Sequence, residues 1–417
     1  MSHADPFLAR LERARSASKR LATVTTTQKN AALESIASEL EDSVDEIVAA
    51  NAIDLERGRA NAIGEGLLDR LRLDTDRIRG LAAAVRDVIA LPDPVGEVVR
   101  GSTLANGIQI SQVRVPFGVV GAIYEARPNV TVDIAALSLK SGNGAVLRGG
   151  SAAEHSNRVL VELIQRAVSR AGLDGDAVQT IDEFGREGAS RLMRARGFID
   201  VLIPRGSAGL ISTVVQESTV PVIETGSGVV HVYVDASAEE GMAVSVVKNA
   251  KTHRPSVCNA AETLLVHRDA AERLLPRLAR ELMGAGVELS GDEASRSAVP
   301  GVGVADEETW ATEHHALAMG VRVVGSLDEA LAHIERYSTR HTEAIVTQDY
   351  ASAERFLAEV DSAVVMVNAS TRFTDGGEFG FGAEVGISTQ KLHARGPMGL
   401  PELTSTKWLV RGTGQIR

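Results

Sequence analysis

The residue with the clearest chemical potential is Cys258, the only cysteine among 417 residues. A lone cysteine cannot form an internal disulfide, so packing, metal binding and nucleophilic chemistry are its possible uses. It follows Lys251, His253 and Arg254 in the sequence, and cationic neighbours stabilise a thiolate. No Cys or His pair with ligand spacing surrounds it, which disfavours a metal site. From these residues alone, a buried structural thiol and a nucleophile both remain open.

The predicted position of this thiol is a junction between a helix and a strand. Pro255 ends a helical pattern, and the apolar run 263–266 follows. A thiol at such a junction is reachable by a substrate. No spacing rule pairs His253 with it as a base, so a cysteine–histidine dyad is not favoured.

Composition restricts the partners of the chain. Its net charge of −11 disfavours nucleic acid and anionic membranes, because there is no broad basic field to bind phosphates. No apolar run approaches membrane-spanning length. The N-terminal arginines loosely resemble a transit peptide, but Asp5 and Glu12 interrupt them and the apolar spacing favours a surface helix. With one cysteine and no secretory segment, we expect a cytoplasmic location.

Hydrophobic periodicity divides the chain into regions of different structure. Residues 1–90 are predicted to form helices only. Alternation around Asn106-Gly107 predicts a mostly polar hairpin, which we expect to dock on another subunit, and an extended run at 403–416 is expected to pair with it. Beyond Phe117, apolar strands alternate with amphipathic helices, which predicts parallel sheets in two α/β lobes and an active site in the cleft between them. The predicted strands are 119–123, 145–147, 178–181, 199–203, 220–223, 229–234, 263–266, 321–324, 344–346 and 364–367.

Familiar nucleotide-binding and hydrolase motifs are absent from the sequence, but two glycine turns follow predicted strands. There is no G-x-G-x-x-G, P-loop, H-E-x-x-H or G-x-S-x-G string. The turns are Arg148-Gly149-Gly150 and Arg205-Gly206-Ser207. Each could present N–H groups to a phosphate at a helix start, or could be an ordinary turn whose glycines take positive φ. Their occurrence on neighbouring strands favours a nucleotide site.

Asn129 lies between the predicted strand 119–123 and a helix predicted to begin near Thr131. Asparagine at such a place commonly caps the helix. Its amide could instead donate a hydrogen bond to an oxyanion formed on a substrate. Composition does not separate these two roles.

Four long strings resemble those of the γ-glutamyl phosphate reductase family, a branch of the aldehyde dehydrogenase superfamily. They are RVPFGVVGAIYEARPNVTVD at 114–133, RPSVCN at 254–259, RHTEAIVT at 340–347 and GISTQKLHARGP at 386–397. The resemblance covers nearly the whole chain and implies an α/β, aldehyde-dehydrogenase-like fold. It implies a Rossmann-like cofactor domain at 1–96 and 117–228, an α/β catalytic domain at 229–395, and a small β oligomerisation arm at 97–116 and 400–417.

The resemblance also implies roles for individual residues. Cys258 matches the nucleophile, and Asn129 matches the amide that forms an oxyanion hole with the Cys258 N–H. No metal is implied. The implied cofactor-binding residues are Arg148, which suits the 2′-phosphate of NADPH, together with Gly149, Gly206, Ser207 and Glu313, the last holding the nicotinamide ribose. The candidates for binding the charged ends of the substrate are Glu125, Arg127 and Arg254.

The reaction implied by the resemblance is a step of proline biosynthesis. NADPH would reduce L-γ-glutamyl 5-phosphate to L-glutamate 5-semialdehyde through a cysteine thioester, with release of phosphate. The implied partners are this small-molecule substrate, possible handover from glutamate 5-kinase, and further copies of the chain in a homo-oligomer.

Three other functions remain open from the sequence. A hydrolytic NAD(P)-dependent aldehyde dehydrogenase would use Glu224 to activate water; we instead expect Glu224 to be structural, because phosphate is the acyl acceptor in the reverse reaction. A thiol hydrolase or acyltransferase without nicotinamide would need a histidine partner for Cys258. An inactive binding protein is disfavoured by the presence of both Cys258 and Asn129.

Overall fold

The computed structural model describes residues 5–125 and 127–417; Ala126, in the string 114–133, lies outside the described residues. The chain divides into two compact units. Unit 1 contains residues 1–224, 380–386 and 398–417, and unit 2 contains residues 225–379 and 387–397. Residues 380–386, which the sequence-based division placed in the catalytic domain, pair with unit 1, where the Met398 N–H donates to the Gly386 carbonyl at 2.9 Å. The assignment of cofactor binding and catalysis to the two units stays a prediction.

Helices fill most of the first ninety described residues, as the periodicity predicts. Among the described residues, no helix combines the length and apolar character that crossing a bilayer requires. In chain order the α-helices are α1 Pro6–Leu21, α2 Thr26–Asp42, α3 Val44–Ala60, α4 Glu65–Leu71, α5 Thr75–Ala90, α6 Pro128–Lys140, α7 Glu154–Arg170, α8 Gly185–Met193, α9 Ala208–Glu217, α10 Glu240–Thr252, α11 Arg268–Gly284, α12 Glu293–Ala298, α13 Glu307–Ala311, α14 Leu327–Tyr337 and α15 Tyr350–Glu359.

The strands follow the same alternation after Phe117 that the sequence predicts. In chain order they are β1 Val98–Thr103, β2 Gln109–Pro116, β3 Val119–Tyr124, β4 Gly144–Arg148, β5 Val178–Thr180, β6 Val201–Arg205, β7 Val230–Val234, β8 Ala261–His267, β9 Glu288–Gly291, β10 Gly303–Val304, β11 Ala318–Val324, β12 Thr342–Val346, β13 Val364–Val367, β14 Ile387–Ser388, β15 Gly396–Pro397 and β16 Thr404–Arg411.

The main sheet of unit 1 is parallel, with strand order β5-β4-β3-β6. Every residue of β3 is buried, as expected of a strand covered on both faces. The predicted strand at 220–223 is wrong: only an isolated bridge joins Val222 to Leu202. Pro221 has no N–H to donate, so the ladder cannot extend there.

The main sheet of unit 2 is also parallel, with strand order β10-β9-β11-β8-β7-β12-β13. All five strands that the sequence predicts in this unit are present, and β9 and β10 are additional. The strand β8 lies near the middle of the sheet and is buried through its first six residues. The thiol loop is joined to this rigid strand, because β8 begins three residues after Cys258.

The hairpin and the C-terminal strand form a separate antiparallel sheet of order β1-β2-β16. The predicted pairing of the C-terminal run with the hairpin is therefore confirmed. Gly107 takes a φ of 84° in the turn, which suits glycine. All of β1 is exposed, and so are the apolar side chains of Trp408 and Val410 on β16. Docking of this arm on another subunit stays a prediction.

Candidate active site

Cys258 lies in the loop between α10 and β8, at the predicted helix-to-strand junction, and is partly exposed. The loop is closed by a turn in which the Ala260 N–H donates to the Val257 carbonyl at 3.0 Å. A partly exposed thiol in an ordered loop disfavours the purely buried structural role.

Gly228 contacts the backbone of the thiol residue directly. A Cβ on Gly228 would lie 1.5 Å from the Cys258 carbonyl oxygen, a distance that no side chain can occupy. The constraint is close approach, since Gly228 is not among the positive-φ glycines. This contact fixes the loop from the side of the segment that leads into β7.

Asn259 ties the loop to the chain that follows β13. Its amide Nδ2 donates to the Thr374 carbonyl at 2.8 Å, and its own carbonyl accepts from Thr371 Oγ1 at 2.7 Å. Its Oδ1 accepts from Arg372 Nη1. The residue next to Cys258 is therefore held at three points by one short segment.

Arg372 is the cation that this segment brings to the thiol loop. Its Nε donates to His253 Nδ1 at 3.3 Å, in addition to the bond with Asn259. His253 is thus engaged with a guanidinium, which does not favour it as the base of a dyad. The guanidinium is partly buried and interacts electrostatically with Cys258.

A second guanidinium, that of Arg254, lies close to Arg372. Burial lowers the pKa of Arg372 from its ordinary value, and Arg254 acts in the same direction. The negative groups Asp375, Cys258 and Glu378 oppose that change. Two neighbouring arginines make the loop electropositive, as a reactive thiolate requires.

Lys251, expected to act as another cation beside the thiol, is instead paired internally. Its Nζ lies 2.6 Å from Glu262 Oε2, and both side chains are fully buried. Burial lowers the pKa of Lys251 and raises that of Glu262 to about 7. Lys251 is therefore paired with Glu262 and is not the cation that stabilises a thiolate at Cys258.

Glu313 also lies in this part of unit 2. Burial opposes its ionisation, but the His315 ring at 3.3 Å and the Gly228 N–H outweigh burial, so its pKa lies below its usual value. Among the described residues, Glu313 Oε1 is buried without a hydrogen-bond partner. Since Gly228 contacts both Glu313 and the Cys258 backbone, the structure brings these two predicted site residues together.

Asn129 belongs to unit 1 and is not a helix cap. The helix α6 begins at Pro128 with Arg127 in the cap position, because proline suits the first helical turn. Asn129 Nδ2 donates to Asp133 Oδ2 at 3.2 Å, one turn along the helix. Burial raises the pKa of Asp133 to about 6, against the effects of Arg205 and the Asn129 hydrogen bond. The amide nitrogen carries two protons, so one remains for another acceptor.

Gly206 and Ser207 lie at the start of α9, where the Glu125 carboxylate reaches them. Glu125 Oε2 accepts from the Ser207 N–H at 2.8 Å, and Oε1 accepts from Ser207 Oγ at 2.9 Å. A Cβ on Gly206 would lie 2.6 Å from Glu125 Oε2. The donors predicted for a pyrophosphate therefore hold a carboxylate of the chain itself.

The turn at Gly149 is similarly engaged. Its N–H donates to Asp182 Oδ1 at 2.7 Å, and Asn157 Nδ2 donates to Asp182 Oδ2 at 3.1 Å. Neither Gly149 nor Gly150 has positive φ, so the expected conformational reason for these glycines is wrong. The Asn157 amide approaches Gly149 so closely that a Cβ would lie 1.9 Å from its nitrogen.

Arg148, at the end of β4, carries a buried Nε that has no hydrogen-bond partner in the described part of the chain. Asp182, beside it, has a pKa raised to about 6, mainly by burial. A buried, unsatisfied guanidinium nitrogen is costly unless a ligand supplies an acceptor.

Comparison with known proteins is consistent with this arrangement. The aldehyde dehydrogenase family model matches residues 3–296. The γ-glutamyl phosphate reductase of Leifsonia xyli is 65% identical over 98% of this chain and 97% of its own length, and that of Thermobifida fusca is 59% identical over 97% of each. The crystal structure of the Thermotoga maritima γ-glutamyl phosphate reductase matches with a TM-score of 0.97 and 47% identity, covering 99% of this chain and all of that one.

The chain belongs to the γ-glutamyl phosphate reductase family. Membership confirms the predicted aldehyde-dehydrogenase-like α/β fold and implies a nicotinamide cofactor. It gives no support to the nicotinamide-free hydrolase or the inactive binding protein. Glu224, the residue that kept a hydrolytic dehydrogenase open, is the last residue of the first segment of unit 1.

Three residues that lie against the predicted site residues of this member of the γ-glutamyl phosphate reductase family were missed from sequence. Arg372 lies 114 positions after Cys258, and no spacing rule joins them. Gly228 ends the string Gly226-Ser227-Gly228, whose glycine content was a signal of close packing. Asp133 lies four residues after Asn129, and a helix predicted to begin at Pro128 rather than near Thr131 would have brought the two together by the i, i+4 rule.

Proposed function

We propose that this chain reduces L-γ-glutamyl 5-phosphate to L-glutamate 5-semialdehyde and releases phosphate, as a step of proline biosynthesis. The observation that carries the proposal is the setting of Cys258: a partly exposed thiol, held by Gly228 and Asn259, with the Arg372 guanidinium beside it. Its relatives of 65% and 59% identity are named for γ-glutamyl phosphate reduction and match over nearly their whole length.

Cys258 is the nucleophile in this proposal. Its thiolate attacks the acyl carbon, a C–S bond forms, and the C–O bond to the phosphate breaks, which leaves a thioester. Asn129 and the Cys258 N–H are proposed to donate to the oxyanion during this step. The Asp133 carboxylate supports that role by holding one proton of the Asn129 amide and so fixing its orientation.

The chain offers groups that fit a nicotinamide dinucleotide. Two buried atoms have no hydrogen-bond partner in the described part of the chain: Arg148 Nε can donate to a ligand, and Glu313 Oε1 can accept from one. The cofactor supplies, when bound, the hydride that reduces the thioester. Cys258 is then expelled as the thiohemiacetal collapses to the semialdehyde, which restores the thiolate.

We propose NADPH as the preferred cofactor, because Arg148 offers a cation for the 2′-phosphate. Gly149, Gly206 and Ser207 are proposed to contact the rest of the cofactor, and Glu313 its nicotinamide ribose. Arg148→Met is expected to reduce the ratio of kcat/KM for NADPH over NADH by about 10-fold or more, the value of one charge-assisted hydrogen bond. An unchanged ratio would remove Arg148 from this role.

Glu125, Arg127 and Arg254 are proposed to bind the charged groups of the substrate.

We also propose a cytoplasmic homo-oligomer assembled through the β1-β2-β16 arm, supported by the exposed Trp408 and Val410. Val410→Asp would then lower the oligomeric state in sedimentation experiments without changing the circular dichroism spectrum. Handover of the labile acyl phosphate from a glutamate 5-kinase belongs to the same proposal.

The deciding experiment runs the reaction in reverse, which avoids the labile substrate. NADPH formation from glutamate semialdehyde and NADP⁺ is followed by absorbance, with and without inorganic phosphate. We expect a signal that needs phosphate and is lost in Cys258→Ala. A signal independent of phosphate would indicate a hydrolytic dehydrogenase, and the absence of any signal would reject the substrate.

A further inference from the structure

The position of Arg372 relative to the thiol is fixed by the segment that carries it. A single 3₁₀ turn, Thr371–Phe373, follows β13. Thr371 Oγ1 donates to the Asn259 carbonyl at 2.7 Å, and Asn259 Nδ2 donates to the Thr374 carbonyl at 2.8 Å. These bonds lie on both sides of Arg372 and hold its backbone beside the thiol loop, while the guanidinium itself donates from Nη1 to Asn259 Oδ1.

The guanidinium of Arg372 lies near the thiol and a second cation, in a setting that also contains carboxylates. Arg254, an exposed cation, lies close enough to repel it, and the partly buried setting makes that repulsion more costly than in water. Asp375 and Glu378 offset part of the positive charge, and Cys258 contributes a further negative charge when it is a thiolate. His253 contributes only an acceptor nitrogen to Arg372 Nε.

Substrate chemistry requires an anion at this place. In an acyl phosphate the phosphorus is two bonds from the acyl carbon, so attack by Cys258 brings the phosphoryl group beside the thiol. Arginine is suited to hold phosphate through paired N–H donors. We propose that Arg372, with Arg254 beside it, binds the phosphoryl group of the acyl phosphate and, in the reverse reaction, inorganic phosphate. This inference rests on the proposed function and assigns the subsite that function requires.

Arg372 then acts directly on the bond that breaks. When the Cys258 sulfur forms its bond to the acyl carbon, the electron pair of the C–O bond passes to the departing phosphate oxygen. The guanidinium stabilises that added charge without giving up a proton, because arginine stays protonated. In reverse, the same contact holds phosphate against the thioester carbon.

Steady-state kinetics of the reverse reaction test the subsite. Arg372→Met is expected to raise KM for inorganic phosphate about 10- to 100-fold, as expected for lost charge-assisted hydrogen bonds, while KM for the semialdehyde changes less than about 3-fold. Arg372→Lys should recover part of the phosphate affinity, because it keeps the charge but not the paired donors. Arg355→Met, which alters an exposed arginine paired with Glu359 and Asp328, should match the wild type.

Thr371→Val separates binding of phosphate from support of the loop. It removes one anchor of Asn259 but keeps the guanidinium, so kcat should fall without a selective rise in KM for phosphate. An equal rise in KM for phosphate in Thr371→Val and Arg372→Met would show that Arg372 acts only as an anchor, and would overturn the inference.

Alkylation of Cys258 by iodoacetamide gives a readout that does not depend on turnover. Phosphate should slow alkylation in the wild type relative to chloride at equal ionic strength, and should protect Arg372→Lys less. Equal protection of both proteins, or none in the wild type, would overturn the inference. Should wild-type turnover prove independent of phosphate, the proposed function fails with it; a phosphate-dependent wild type with an unchanged KM in Arg372→Met removes only Arg372.

Discussion

The thiol loop of unit 2 and the predicted ligand-binding turns of unit 1 are built in opposite ways. Around Cys258 the chain places guanidinium groups, and two neutral hydrogen bonds anchor Asn259: Thr371 Oγ1 donates to its carbonyl, and its amide donates to the Thr374 carbonyl. In unit 1, three of the predicted donors are bonded to a carboxylate of the chain. The pairs are Ser207 with Glu125, Gly149 with Asp182, and Asn129 with Asp133.

The two regions differ in whether the chain places a cation or a carboxylate beside the group that is proposed to act. A cation beside the thiol stabilises the charge that the reaction needs. A carboxylate on an N–H donor satisfies that donor and orients it, but it also repels an anionic ligand. The thiol loop is therefore prepared for its chemistry, whereas the turn at Ser207 must exchange one anion for another before it can bind a phosphate.

The largest expected effect comes from breaking the packing of the thiol loop. Gly228→Ala puts a methyl group 1.5 Å from the Cys258 carbonyl oxygen, so the loop must move. We expect kcat to fall about 1000-fold or more, since displacement of a catalytic group by about 1 Å already costs about 100-fold. The measurement is the phosphate-dependent reverse reaction.

Gly284→Ala is the matched control for that change. Gly284 ends α11, has no neighbouring atom within 4 Å of a Cβ, and does not take positive φ. Alanine there should leave activity unchanged, because it only improves helix propensity. Near-normal activity in Gly228→Ala would show that the thiol loop tolerates displacement. The proposal that this loop, unlike the turns of unit 1, is held ready for its chemistry would then be wrong.

The second largest effect is expected at Asn129, whose side-chain amide is proposed to donate a hydrogen bond to the oxyanion. Asn129→Ala should lower kcat and kcat/KM together by about 100- to 1000-fold, the usual value of one oxyanion donor. Asn61→Ala, at the exposed end of α3, is the control. A higher KM with normal kcat would instead make Asn129 a ground-state binding residue.

Much of the fold could be predicted from the sequence, because its strands and helices are strongly periodic. Most parallel strands of both units, the hairpin and its pairing with the C-terminal strand follow from apolar patterns and turn residues, whereas β9 and β10 were not predicted. The strand at 220–223 failed because Pro221 removes a donor that hydropathy does not count. The short strand β10 was missed because its two residues carry too little pattern.

Less of the site could be predicted, since its contacts join distant positions. The place of Cys258 follows from local signals, but the bonds that hold it come from Arg372 and the residues on either side of it. Lys251 was misjudged because sequence proximity does not give direction, and its side chain turns to Glu262. The engagement of Ser207 by Glu125 joins residues 82 positions apart, so no local pattern records it.

A smaller effect should follow from neutralising the carboxylate on the α9 turn. Glu125→Gln removes a negative charge from the donors of Ser207, so an incoming pyrophosphate meets less repulsion. We expect the Kd for NADPH to decrease about 5-fold, in line with an exposed charge interaction of about 1 kcal/mol. Fluorescence titration of the cofactor measures this change.

Glu217→Gln, at the opposite end of α9, keeps the same change of charge and should leave the Kd unaltered. Glu125 is also proposed to bind a charged group of the substrate, so Glu125→Gln should raise KM for the semialdehyde as well. A raised KM with an unchanged Kd for NADPH would show that Glu125 binds the substrate and does not compete with the pyrophosphate. That result would show that the bond between Ser207 and Glu125 does not hinder cofactor binding. The comparison between the thiol loop and the ligand-binding turns of unit 1 would then depend on Gly149 and Asn129 alone.

The smallest expected effect is a change in the free energy of unfolding with pH. It distinguishes a carboxylate whose pKa is raised by burial from one whose pKa is lowered by hydrogen bonds. Asp133 has a folded pKa of about 6, raised chiefly by burial, against about 3.9 unfolded. Between these values the folded state binds more protons, so its unfolding free energy decreases as pH rises from 4 to 6. The full pKa difference is worth about 2 kcal/mol between pH 4 and 7, but the Asp133 side chain is partly exposed and water screens part of that effect. Asp133→Asn lacks the decrease, and should gain about 1 kcal/mol relative to the wild type over this pH range in urea unfolding.

For Glu239, the expected change of the unfolding free energy with pH has the opposite sign, so this residue serves as the comparison for Asp133. It caps α10 and accepts the Gly241 and Met242 N–H groups, which lower its pKa. Its stabilising effect is present above the ordinary glutamate pKa and is lost as pH falls through the lower pKa of the folded state, so Glu239→Gln should lose stability relative to the wild type as pH rises. Opposite slopes for the two variants would show that the carboxylate holding Asn129 is kept at an energetic cost, as expected of a group that orients a catalytic donor rather than one that stabilises the fold. Parallel slopes would place Asp133 among ordinary helix-supporting carboxylates.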